Sequence, residues 1–143
     1  MRIFKTYTEA MRSILPNNET LRRIGKSGSE YFKNKIKSGN VSGASLASAT
    51  IANKVRRGAP QPSYKLYEGG GMADQTKYKI DGNVCKIGYF DEMHKKFKSS
   101  DPDINVASLA KIHHEKDNRK VLEDDDEFDE IIHNEISKRL GGA

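Results

Sequence analysis

The sequence predicts an α+β fold: a small antiparallel β-sheet packed with a long N-terminal helix, a second helix and a C-terminal amphipathic helix. Three observations carry that expectation. Apolar residues recur at helical spacing between residues 17 and 38, and again between 124 and 140. Between 76 and 89 they alternate with period two around Asp81-Gly82-Asn83, the signature of a hairpin. With 143 residues and 35% hydrophobic content, the chain supports one domain over 1–143 with a modest core. Within it, residues 1–40 read as a helical N-terminal arm and 45–143 as the α+β core.

Taken in order, the segment before Pro16 has room for a short helix. Asn17 or Asn18 then caps a long one whose stripe runs through Leu21, Ile24, Tyr31, Phe32 and Ile36. Gly25 and Gly28 lie inside it. Each costs about 1 kcal/mol relative to Ala, so both point to another backbone packing closely there. Residues 38–45 have linker composition, and Ser45 is placed to cap a helix through Leu46, Ala49, Thr50 and Val55 that stops at Gly58-Ala59-Pro60. Pro60 and Pro62 impose an extended path into Ser63–Glu68, which reads as a strand ending in a turn at Gly69-Gly70-Gly71.

Thr76, Tyr78 and Ile80 share one face before the hairpin turn, and Cys85, Ile87 and Tyr89 share one after it; Gly82 supplies the positive φ that a tight connection needs. Residues 91–104 read as a polar loop or insertion with some helix in it. Asn105 is placed to cap a short helix that turns Val106, Leu109, Ala110 and His113 inward or toward a partner. In the last helix, 124–140, Asp124, Asp125 and Asp126 crowd the N-terminus. Phe128, Ile131, Ile132, Ile136 and Leu140 form its stripe, and Lys138 and Arg139 occupy its final turn. Each charge cluster suits the end of the macrodipole where it sits.

The net charge of +5 is unevenly spread. Residues 1–60, 61–120 and 121–143 carry balances of +9, +2 and −6. Such polarity suits head-to-tail contact between copies, a basic patch of one meeting an acidic patch of the next. The candidate interface residues are Arg22, Arg23, Lys26, Lys33 and Lys37 on the basic side, Asp124, Asp125 and Asp126 on the acidic side, and the pair His113 and His114. A basic face toward nucleic acid is the rival reading, and solvated helix faces are the bland one. A lone Cys85 excludes a disulfide framework within one chain, and the polar start carries no signal-peptide or membrane-spanning run.

Catalytic motifs fail one by one. Gly25-Lys26-Ser27 resembles the end of a phosphate-binding loop, but Thr20 stands where its first glycine belongs. Asp101, Asp103 and Asn105 begin a calcium loop, yet Val106 replaces its glycine and Ile112 its final glutamate. Gly69 and Gly71 begin a dinucleotide fingerprint that Asp74 breaks. His113, His114 and Glu115 form the one cluster suited to a metal or to acid–base work. Helical neighbours point about 100° apart, so the two histidines do not easily share an ion, although His94 or His133 could join them in space. Cys85 reads as a buried small hydrophobe. No cofactor and no metal are expected.

Residues 46 to 140 resemble the tail-completion, or virion morphogenesis, proteins of Mu-like and P2-like bacteriophages. The likeness runs through Thr50-Ile51-Ala52-Asn53-Lys54, Lys65-Leu66-Tyr67-Glu68-Gly69-Gly70, Val84-Cys85-Lys86-Ile87-Gly88, Leu109-Ala110-Lys111-Ile112-His113, Asn118-Arg119 and Phe128 to Leu140. It covers about two-thirds of the chain, by order and spacing. The resemblance implies a non-enzymatic neck, tail-completion or tail-terminator subunit at the head–tail junction. It further implies a ring, hexameric by family likeness, that joins connector proteins to the tail tube or sheath and lets DNA pass without specific binding. Its location would be the virion, and the host cytoplasm during assembly. Two alternatives stand beside it: a non-specific nucleic-acid-binding module using the basic N-terminal half, and a small metal-dependent hydrolase at His113 and His114.

Overall fold

The structure, a computed structural model, describes residues 18–43, 45–115, 119, 122 and 125–139. The helix expected before Pro16, the end of the last helix at Leu140, and Asp124 lie outside the described residues. The fold is α+β: helices α1 (Asn18–Lys37), α2 (Ser48–Arg56), α3 (Gly71–Asp74), α4 (Val106–Glu115) and α5 (Asp126–Arg139), with one antiparallel hairpin of β1 (Lys77–Asp81) and β2 (Val84–Gly88) between α3 and α4. None of the described helices is long and apolar enough to cross a membrane.

Contacts divide the chain into two compact units, and α1 passes from one to the other at Gly28–Ser29. The first unit holds the start of α1, the hairpin over 78–87 and α5. The strands alternate as expected, with Tyr78, Ile80, Cys85 and Ile87 half-buried between exposed lysines. Gly82 opens a two-residue loop at φ +60°, while Asn83 keeps a negative φ, the signature of a connection with glycine in its first position.

The helix glycines serve a close approach, but of side chains and not of a backbone. A Cβ at Gly25 would run into the Tyr78 ring and come within 3.0 Å of the Cys85 sulfur; one at Gly28 would meet Ile87 and Phe128. Asp125 caps α5, its Oδ1 accepting from the Phe128 N–H at 2.9 Å. Phe128, Ile131, Ile132 and Ile136 are half-buried along that helix.

The second unit holds residues 29–77 and 88–123, with Phe32, Ile36, Val41, Leu46, Met72, Ala73 and Val106 buried. Three expectations need correction here. Ser45 does not cap α2, which starts at Ser48 behind an extended Ala47 that makes no side-chain cap. The helix is also turned about its axis relative to the expected stripe: Ala49, Thr50 and Val55 are exposed, and Lys54 is buried. Ser63–Glu68 is not a strand but a run of turns. Gln61 and Leu66 adopt φ +49° and +59°, the prolines supply no N–H for a ladder, and the carbonyls of Tyr64 and Tyr67 turn toward Lys54.

The glycine run after it opens α3 as well as a turn. Gly70 has φ +86°, and a Cβ at Gly71 would collide with the Lys95 carbonyl oxygen. Residues 91–104 contain no helix. The loop is pinned by a bridge between Met93 and Asn105, with the His94 N–H donating to Ile104 and the Val106 N–H to Glu92, each at 2.8 Å. Gln75, buried, donates to the Met93 carbonyl and accepts from the Lys95 N–H, both at 2.8 Å. Asn105 caps α4 as expected, accepting from Ala107 at 2.9 Å and Ser108 at 3.3 Å.

Candidate functional site

In the last turn of α2, the C-terminal end of the helix turns the long side chain of Lys54 inward, leaving the residue 9% exposed. Its ammonium donates to the carbonyl oxygens of Tyr64 at 2.7 Å and Tyr67 at 3.0 Å. Burial lowers its pKa from the ordinary lysine value, Glu68 partly opposes that shift, and Arg119 adds to it. The Arg119 N–H donates to the His113 carbonyl at 3.0 Å.

Lys54, Tyr67, Glu68, His113 and Arg119 line a cavity of about 290 Å³. Lys54, Glu68, His94, Asp101, His113 and Arg119 supply its polar wall. Leu46, Leu66, Met72, Phe97 and Leu109 supply the apolar one. The two carboxylates are already engaged, because Arg57 holds Glu68 at 2.5 Å and Asp101 at 2.6 Å. The guanidinium, together with the Lys98 N–H, holds the Asp101 carboxyl below its usual range. His94 is shifted downward by burial, with Asp101 and Glu68 opposing, and its Nδ1 faces the Gln75 Oε1 at 3.3 Å.

A second cavity, also of about 290 Å³, is mostly apolar and takes in Leu66, Met72, Tyr89, Ala110, His114 and Leu122. Burial pushes the Tyr89 hydroxyl up to about 12, against the opposing effect of Thr76, whose own hydroxyl lies 3.1 Å away.

The expected histidine cluster is therefore split. His113 and His94 line the first cavity, His114 the second, and His133 is exposed on α5 in the other unit. Among the described residues no group of three or more His, Cys, Asp or Glu side chains is placed to hold a metal. Cys85 is half-buried in β2, and burial pushes its thiol upward.

On α1, Arg22, Arg23, Lys26 and Lys37 are exposed and Lys33 is half-buried. Several already have acidic neighbours: Arg23 pairs with Glu19 at 2.8 Å, Lys33 with Glu30 at 3.4 Å and Lys37 with Asp74 at 3.5 Å. Asp126 is exposed in the first turn of α5 and Asp125 is half-buried as its cap.

Sequence reasoning missed the role of Lys54, Arg57, Glu68 and Asp101. Lys54, Leu66, Tyr67, Glu68, Leu109, His113 and Arg119, far apart in the chain, line one cavity. No protein-family model, curated protein or solved structure matches this chain.

Proposed function

We propose that this chain is a structural subunit of a bacteriophage head–tail junction, a neck, tail-completion or tail-terminator protein without turnover. Copies associate side by side into a ring, hexameric by family likeness, between connector and tail tube, in the virion and, during assembly, in the host cytoplasm. The observation that carries the reading is that four of the six resemblance-bearing segments, through Lys54, Leu66 to Glu68, Leu109 with His113, and Arg119, line one cavity. The uneven charge supports the mode of contact. Exposed Arg22, Arg23 and Lys26 offer a neighbour cations, and exposed Asp126, Glu127 and Asp129 offer it anions.

Size-exclusion chromatography with light scattering, alone and with added connectors or tail tubes, tests this. A closed oligomer, or a monomer recruited by either partner, supports it. A strict monomer that ignores both and instead binds DNA with steep salt dependence transfers the reading to a nucleic-acid module, for which the exposed cations of α1 are the specific support. Stoichiometric metal after purification, with a hydrolytic activity lost in His113→Ala, would transfer it to a metal-dependent hydrolase.

A further inference from the structure

We infer that the cavity around Lys54 is a binding site for a small carboxylic acid with an apolar body, its carboxylate held by Lys54 and Arg119. A lysine ammonium carries three N–H donors. Lys54 gives two of them to the carbonyls of Tyr64 and Tyr67. The third has no acceptor among the described residues, although the residue is nine-tenths buried. A buried donor left in that condition is costly, and an anion in the cavity satisfies it with a charge-assisted hydrogen bond. The carboxylates of the wall do not serve, because Glu68 and Asp101 are held by Arg57. Arg119 adds a second cation to the same wall, and a planar guanidinium is the group suited to two-point capture of a carboxylate.

The remaining surface selects the rest of the ligand. Leu46, Leu66, Met72, Phe97 and Leu109 form an apolar wall facing the cations, and about 290 Å³ is at the low end of the range for small-molecule sites. A monoanion fits better than a phosphate dianion, which the neighbouring Glu68 and Asp101 would repel and which the apolar wall would leave poorly solvated.

Titration of the intact chain at neutral pH with benzoate, benzamide and inorganic phosphate, followed by calorimetry and by amide chemical shifts, tests the assignment. The expected result is saturable benzoate binding with shifts at residues 54, 64–68, 109–113 and 119, and binding of benzamide and phosphate weaker by about tenfold or more. Lys54→Met and Arg119→Gln each weaken benzoate by about tenfold. Lys54→Met also removes two loop contacts, so Arg119→Gln, which leaves them in place, is the deciding variant if the former fails to fold. Equal affinity for benzamide, preference for phosphate, the absence of any binding, or an Arg119→Gln affinity equal to that of the wild type each overturns the proposal. None of these outcomes bears on the oligomeric state, so the assembly reading stands or falls separately.

Discussion

The ammonium of Lys54 donates to the carbonyl oxygen of Tyr64 at 2.7 Å, joining the last turn of α2 to a segment with no regular secondary structure. That bond, with its companion to Tyr67 at 3.0 Å, replaces the ladder that a strand over 63–68 would have needed. The loop satisfies its inward carbonyls through a charge brought by a helix, and so it needs no partner strand.

Removing that charge should open the loop. Lys54→Met keeps the apolar stem but leaves two inward carbonyls without their donor, at an expected cost of about 2–4 kcal/mol in urea unfolding. Amide exchange in residues 61–68 should accelerate more than in α5. A stability loss below about 0.5 kcal/mol, the range of an ordinary surface change, would show that the two bonds do not support the loop.

The hairpin, the cap at Asn105 and the long first helix were legible because each is written locally: alternation around Asp81-Gly82-Asn83, or an Asx residue ahead of an apolar stripe. Lys54 was not. A lysine in a basic helical turn looks like a solvated charge until two carbonyls far along the chain arrive to meet it, and nothing at positions 64 and 67 announces that as a side-chain pattern. The same holds for Arg57, whose partners Glu68 and Asp101 come from separate loops. The stripe of α2 was misjudged for a related reason: counting apolar residues favoured Val55, which is 59% exposed, over the cation that is buried.

Gly25→Ala sets helix propensity against space. Alanine gains about 1 kcal/mol as a helix former. Its Cβ, however, would meet the Tyr78 ring near its root, where the side chain has little freedom to swing away, at an overpacking cost of about 1–3 kcal/mol. Gly25→Ala should therefore lower the thermal midpoint, whereas Gly28→Ala, whose nearest obstacle is the movable Cδ1 of Ile87 at 2.6 Å, should be closer to neutral. A Gly25→Ala protein more stable than the parent would falsify the packing of β1 on α1 at this position.

Asn105→Ala removes the acceptor for the Ala107 and Ser108 N–H groups at the start of α4. The expected loss is about 1 kcal/mol, with Asn105→Asp retaining most of the stability. Chemical denaturation of the three proteins checks it; an alanine variant as stable as the aspartate variant would remove the cap from the account.

Tyr89 ties stability to alkaline pH. Its hydroxyl is buried and titrates at about 12 in the folded chain, against 10 for an ordinary tyrosine. Below the ordinary value both folded and unfolded forms keep the proton, so this group introduces no pH dependence. Above it the unfolded chain ionises first, and stability falls as pH rises toward the folded value, then levels off. A shift of this size corresponds to about 3 kcal/mol, an order-of-magnitude figure. Denaturant unfolding measured across about pH 9 to about pH 12 should show that decline in the parent, and a shallower one in Tyr89→Phe, which has no proton to lose. Thr76→Val should keep or deepen the decline, because burial causes the shift and the Thr76 contact opposes it. Parallel profiles for the parent and Tyr89→Phe would mean that the hydroxyl meets solvent in the folded protein, and that the wall it contributes to the second cavity is open.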